Sequence, residues 1–289
     1  MKVKAAAKIN LLLDILKKLD NGYHSLFMIM QSVSCYDTVE VTLDDSGKIT
    51  VDCGDAPLRN DETNIAYKAA KAFVDYTGIS GNGINIVIEK SIPLAAGLAG
   101  GSADAAAVIF ILNRLFETNL SDNEMRKIGV TVGADVPFAL MGGTALALNI
   151  GEILAPLPAV ENCFIVLAKP NEDVATSGAY AKYDTAGNIR HPDNAAMLEA
   201  LANGETEKAL GLVENVFEQV IEVHSRPYIK DTMRHFGCKA TCMSGSGPTV
   251  FGIFDDEEKA NNCADELQKT LKQVFVTTPT EKSIEIISE

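Results

Sequence analysis

The chain has 289 residues, 47% of them hydrophobic and 22% charged, with a formal net charge of -14. That length suits two domains with a core each, and the acidic balance argues against a basic nucleic-acid-binding face. It leaves room for an anionic small substrate, because backbone amides, a metal ion and a single lysine can reverse the field inside a cleft.

No apolar run approaches the roughly twenty residues needed to span a bilayer, and the N-terminus leads straight into a patterned strand, so no membrane contact and a cytoplasmic location are expected. Six cysteines are scattered through apolar segments and read as buried small hydrophobes. Cys238 and Cys242 are the only close pair, and nothing completes a zinc site around them.

The run Val3 to Leu13 is apolar except at Lys8 and Asn10, which predicts a strand. Residues two apart on a strand share a face, so Lys8 and Asn10 point together toward either a solvent-exposed edge or a cleft. Asn21-Gly22 signals a turn before Tyr23 and His24, and His24 fits a surface histidine as well as a site. Thr38 to Leu43 alternates, and Ser46-Gly47 followed by Lys48 to Asp52 predicts a hairpin. Ile65, Ala66, Ala69, Ala70, Phe73 and Val74 recur at helical spacing, with Gly78 as the stop.

The strand Ile84 to Ile88 delivers a stretch of small residues: Pro93, Leu94, Ala95, Ala96, Gly97, Leu98, Ala99, Gly100, Gly101, Ser102 and Ala103. It is not a Walker A loop, since no Gly-Lys-Ser/Thr ends it, and its glycine spacing does not fit a dinucleotide fingerprint. It suits either an anion site at a helix start or a turn that lets a helix pack closely on a sheet. The helix that follows is expected from Ser102 to Phe116, and Ser121 with Glu124 forms a capping box for another. Asp135 precedes Val136-Pro137, so it is placed to cap a short helical turn, or to serve as a buried catalytic carboxylate.

Gly142-Gly143 turns the chain into the strand Thr144 to Leu148, and the proline-bearing stretch from Ile153 to Glu161 suggests a division into 1–155 and 156–289. The second half is expected to run as a strand at Phe164 to Ala168, a helix at Ser177 to Tyr183 and a polar loop from Asp184 to Asp193. Helices then follow at Asn194 to Ala202, Glu205 to Val223 and Pro227 to Gly237. The strand Ala240 to Met243, a second glycine-rich turn at Ser244 to Thr249, the strand Val250 to Phe254, a helix over Glu257 to Leu271 and the strand Gln273 to Thr277 complete it. Ile284, Ile286 and Ile287 of the tail are expected against this second half. Helices mixed with antiparallel strands in this way predict an α+β architecture.

Three stretches carry a resemblance: Ala7-Lys8-Ile9-Asn10-Leu11, Pro93 through Asp104, and Met243-Ser244-Gly245-Ser246-Gly247-Pro248-Thr249. In this order, with Asp135 between the second and third, they resemble the GHMP kinases, a superfamily of small-metabolite kinases. The resemblance implies a two-domain fold, with an N-terminal ATP-binding α/β domain like domain 2 of ribosomal protein S5 and a C-terminal ferredoxin-like α/β sandwich. Asp20 to His24 and Gly133 to Phe138 resemble the branch that phosphorylates the 2-hydroxyl of a cytidine diphosphate-linked methylerythritol in non-mevalonate isoprenoid biosynthesis.

The same resemblance implies ATP as co-substrate with Mg2+, Asp135 as the group that takes the hydroxyl proton, and Lys8 as its charged neighbour. Pro93 to Ala103 would hold ATP, with Ser102 a donor or magnesium neighbour, and Asn64 would lie near the adenine. Asn10, Tyr23, His24, Thr176, Tyr180, Ser244 and Gly245 would surround the second substrate, His24 meeting the cytosine edge and the tyrosines stacking. Two departures from the family's pattern stand out. Ser177 occupies a usual proline position, and Ala95, Ala96 and Ala99 occupy usual glycine positions. Alanine resists positive φ, which predicts ordinary backbone angles there or a slightly different loop. Homoserine and mevalonate kinases, and a non-catalytic nucleotide-binding protein of the same fold, are the alternatives; nothing in the sequence sets an oligomeric state.

Overall fold

The computed structural model describes the whole chain, Met1–Glu289. Two long strands, β1 (Lys2–Lys18) and β2 (His24–Asp44), run antiparallel and form the spine of the first sheet. Near-continuous burial of β1 and of the first half of β2 matches the apolar run at the N-terminus, both faces being covered there, whereas from Ser34 onward β2 alternates between buried and more exposed residues.

β3 (Ile49–Asp52) does not return on β2 as a hairpin. The helix α1 (Ile65–Thr77) carries the chain over, and β4 (Gly83–Glu89) takes the place beside β2, with β3 parallel to it on the outside. Asp44 accepts from Ser46 N–H and from the Asn85 side chain, so the end of β2 is fastened to β4.

The helices α2 (Gly100–Leu115), α3 (Asp122–Val132) and α4 (Val136–Met141) follow, then β5 (Thr144–Asn149) and β6 (Ile153–Leu157) extend the first sheet alongside β2. Seven alanines and small residues let α2 lie close over β1 and β2, and its buried face runs from Ala103 to Leu112.

β7 (Phe164–Lys169) opens the second sheet, and α5 (Thr176–Thr185), α6 (Asn194–Ala202) and α7 (Thr206–Gly211) come next. The helix expected to reach Val223 stops at Gly211; the chain instead forms the short β8 (Glu214–Asn215), parallel to β1, and a single 3-10 turn at Val216–Gln219. Asn215 caps that turn by accepting from Phe217 N–H, a side-chain bond that competes with continued helix.

α8 (Arg226–His235), β9 (Ala240–Met243), β10 (Val250–Phe254), α9 (Glu257–Gln268) and β11 (Gln273–Thr277) complete the second sheet in the antiparallel order β11, β7, β10, β9. With α8 and α9 as its crossovers this is the ferredoxin-like arrangement. Val166, Ala168, Val250 and Phe254 pack under α8 and α9, while Ile165, Leu167, Phe251 and Ile253 join the main core. Alternation across a sheet buried on both faces explains why β7 and β10 read as unbroken apolar runs.

The tail does not rest on this half. β12 (Ile284–Ser288) pairs antiparallel with β1 at the edge of the first sheet, leaving Ile286 and Ile287 exposed. Ser283 fixes the return: its carbonyl accepts from Ala6 N–H and its hydroxyl donates to Ala139 O at 2.5 Å. No helix is long and apolar enough to cross a membrane.

Candidate active site

β1 supplies the first two site residues, and its neighbours decide which way they face. Lys8 and Asn10 are both buried, so the cleft alternative holds and the solvent-edge one does not. Lys8 Nζ donates to Asn10 Oδ1 at 2.7 Å, and Gly245 N–H donates to the same oxygen at 3.0 Å. Lys8 N–H donates to Leu98 O at 3.0 Å. One strand therefore anchors both glycine-rich segments.

The segments are also tied to each other. Ser244 Oγ donates to Gly97 O at 2.9 Å. Gly97 has φ +75°, and a Cβ there would lie 2.1 Å from Ser244 O, so no other residue fits. Below the second turn, Asn215 Nδ2 donates to both Met243 O and Gly245 O, at 2.7 and 2.8 Å.

The alanines of the first loop do not keep ordinary angles. Ala95 has φ 49° and Ala99 φ 57°, both left-handed, whereas Ala96 is not among the positive-φ residues. Close contacts on the turn from strand to helix impose these angles, and alanine is strained in them by roughly 1–2 kcal/mol each. Ala99 stands at the N-cap of α2 and offers no side-chain oxygen, so the first amides of that helix are left for another acceptor.

A buried charge cluster braces the loop from behind. Lys90 Nζ bonds Asp37 and donates to Asp104 Oδ2 at 2.6 Å, while Asp37 Oδ1 accepts from Ser91 N–H and Ile92 N–H at 2.6 and 2.8 Å. Burial, opposed by Lys90 and reinforced by Asp37, pushes the Asp104 carboxyl up to about 8.

Asp135 sits where a cap would, but its φ of -86° and ψ of -9° are helical and its side chain makes no cap hydrogen bond. Ser121, by contrast, makes the full capping box with Glu124. The Asp135 carboxylate is thus free of the helix, and its Oδ2 lies 3.8 Å from Lys8 Nζ. Burial pulls the Lys8 ammonium below its usual range, and the Asp135 charge opposes that pull.

These groups line one cleft of about 820 Å3, together with Pro93 to Ser102, Tyr23, His24, Thr176, Ser177, Tyr180 and Gly245. At its far end Tyr23 is 59% exposed at the rim, and His24 is 7% exposed. The His24 ring stacks on Tyr180 with centroids 4.7 Å apart and planes 18° apart. Its Nε2 lies 2.6 Å from Asp184 Oδ1. Thr176 Oγ1 and Ser246 Oγ are 3.0 Å apart across the cleft wall.

Three expected residues stand behind the lining. Ala103 and Ser244 are buried, and Asn64 caps α1 by accepting from Ala66 N–H while donating to Arg59 O. Asp184, in contrast, lines the cleft without having been singled out in the sequence, where it opens what looks like a polar loop. Asn215, Asp37 and Lys90 were likewise missed, because each acts through a partner distant in the chain.

Comparison with known proteins identifies the family. The GHMP kinases N terminal domain matches residues 64–143, and the GHMP kinases C terminal domain matches 191–273. A Clostridium beijerinckii protein named 4-diphosphocytidyl-2-C-methyl-D-erythritol kinase is 43% identical over 279 residues, covering 96% of this chain and 99% of its own. One of the same name from Caldicellulosiruptor bescii is 41% identical over 286 residues, 98% of this chain and 99% of its own. The crystal structure of a 4-(cytidine 5'-diphospho)-2C-methyl-D-erythritol kinase superposes with a TM-score of 0.77 at 31% identity, over 96% of this chain and 99% of that one. Homoserine kinase from Cytophaga hutchinsonii has a TM-score of 0.81 at 21% identity, over 99% and 97% of the two chains, a likeness of fold.

Proposed function

Because this chain belongs to the GHMP kinase family, we propose that it transfers the γ-phosphoryl group of ATP to the 2-hydroxyl of 4-diphosphocytidyl-2-C-methyl-D-erythritol, a step in non-mevalonate isoprenoid precursor biosynthesis. The observation that carries this reading is the pairing of Lys8 with Asp135 at 3.8 Å in a cleft floored by a small-residue loop and a helix start. The full-length likeness to kinases of that substrate supports it.

Phosphoryl transfer asks mainly for alignment and charge stabilisation. Asp135 accepts the proton of the substrate hydroxyl as its oxygen attacks the γ-phosphorus and the bond to the β-phosphate oxygen of ADP breaks. Lys8, held by Asn10, stabilises the negative charge on the phosphoryl oxygens and sets a positive charge 3.8 Å from Asp135. The uncapped amides of α2 and the loop from Gly97 to Ser102 hold the ATP phosphates.

Magnesium accompanies ATP in this reading. No three acidic, histidine or cysteine side chains gather into a cage. The donors present are the Ser102 hydroxyl and the Asp135 carboxylate, and Mg2+ fits them because it keeps several waters and binds through substrate phosphates and one or two protein oxygens. When bound it neutralises phosphate charge. At the far end His24 meets the cytosine edge, Tyr23 stacks on the base, and Thr176 and Asn10 are polar neighbours of the remainder.

We place the ATP-binding part in 1–155 and the remainder in 156–289, a division that falls inside β6, with β8 and β12 returned to the first sheet, and we keep the cytoplasm as its compartment. The test is ATP consumption by the purified protein with the cytidylated substrate, compared with mevalonate and homoserine. Turnover with the first alone is expected; turnover only with one of the others would replace the substrate.

A further inference from the structure

Asp184 ends a path that the phosphoryl-transfer chemistry does not use. Near the C-terminus of α5, its carboxylate lies between two residues that face each other across β1 and β2, Lys18 and His24. Oδ2 accepts from Lys18 Nζ, and Oδ1 lies 2.6 Å from His24 Nε2. Lys18 and then His24 hold the carboxyl below its usual range, so it is ionised at neutral pH and can only accept. The proton in the short contact therefore belongs to Nε2.

In its neutral form an imidazole whose proton is on Nε2 presents Nδ1 as an acceptor. Tyr180 stacked on one face and the Tyr183 edge, with centroids 6.4 Å from His24, hinder the ring flip that would put Cε1 in the place of Nε2 and Cδ2 in the place of Nδ1. An acceptor complements the exocyclic amine of cytosine. It repels the carbonyl oxygen that uracil carries at the same position.

We propose that Asp184 is a positioning residue that locks His24 in the Nε2-protonated tautomer and thereby selects a cytidine-linked over a uridine-linked substrate. This rests on the assignment of His24 to the cytosine edge. The lock itself is a property of the protein and can be measured without substrate. Lys18 belongs to the device because it fixes the second carboxylate oxygen, which keeps Asp184 from rotating away.

The test joins nitrogen-15 NMR of the labelled histidine rings with steady-state kinetics on the wild type, Asp184→Ala and Asp184→Glu. In the wild type the His24 signals are those of the Nε2-protonated form; in Asp184→Ala they shift to the average of two tautomers, and Asp184→Glu restores them in part. The preference in kcat/KM for the cytidine over the uridine diphosphate-linked methylerythritol falls by about tenfold in Asp184→Ala, the worth of one hydrogen bond, while the KM for ATP stays within roughly twofold.

An unchanged tautomer in Asp184→Ala overturns the lock. A loss of thermal stability and of ATP affinity with the base preference intact overturns the selective role and leaves a structural one. A wild type with the locked tautomer and no turnover of either nucleotide-linked substrate overturns the cytosine assignment, and the base selection with it, while the lock stands.

Discussion

Lys8 Nζ lies 3.8 Å from Asp135 Oδ2 while donating to Asn10 Oδ1 at 2.7 Å, so the lysine is anchored to the scaffold and only loosely paired with the carboxylate. A tight pair would occupy the oxygen that has to take a proton. Asp135→Asn keeps the shape and removes the base. Turnover is expected to fall by about 10²–10⁴-fold, with the KM for ATP changed by no more than a few-fold. Steady-state kinetics on the purified variant check this; unchanged turnover removes Asp135 from the chemistry.

The same pair sets a pH dependence. Burial lowers the proton affinity of Lys8 from its ordinary 10.5, and Asp135 partly restores it. Since the charged form stabilises the phosphoryl oxygens, activity is present below the lowered value and lost as pH rises through it. In Asp135→Asn the restoring charge is gone, so Lys8 loses its proton at a still lower pH. Carbon-13 NMR of the Lys8 Cε follows this directly, and a Lys8 that titrates above 10.5 in either protein contradicts it.

Much of this site was legible because its logic is local. The two-residue spacing of Lys8 and Asn10 on a strand put them on one face, and the small residues before α2 pointed to an anion site. What was not legible depends on partners far along the chain. Nothing in Thr38 to Asp52 says that β4 rather than β3 will lie beside β2, because that pairing joins Thr38–Asp44 to Gly83–Glu89, with Asn85 reaching Asp44 across 41 residues. The tail's isoleucines carry no address, and Ser283 supplies it through Ala6 and Ala139. The left-handed alanines were misjudged for a related reason: propensity argues against the angle, and the tertiary contacts of the loop impose it.

Those contacts make opposite substitutions informative. Gly97→Ala places a methyl 2.1 Å from Ser244 O at a backbone angle alanine resists, so the two glycine-rich segments must separate. A loss of roughly 2–4 kcal/mol in urea unfolding is expected, with weakened ATP binding. Ala99→Gly relieves the strain at φ 57° and is expected to stabilise by up to about 1 kcal/mol, glycine's greater flexibility in the unfolded chain offsetting part of the gain. Equal effects of the two would mean that the loop is not under the constraint described.

The cluster behind the loop gives the last expectation. Asp37 holds two backbone amides and the buried Lys90, so Asp37→Ala leaves two donors without partners and takes from Lys90 one of its two carboxylates, Asp104 being the other. A cost of about 3–5 kcal/mol follows. Asp104 behaves differently, because its carboxyl is raised from 3.8 to about 8 and its Oδ1 has no hydrogen-bond partner. The folded state then binds the proton more tightly than the unfolded chain. Its contribution is present below 3.8 and is lost as pH rises toward 8. Asp104→Asn has no proton to lose, so its stability relative to the wild type should increase steadily across that window. Urea unfolding of both proteins at a series of pH values reads the difference; a difference independent of pH would mean that Asp104 is ionised throughout, with Lys90 rather than a proton neutralising it.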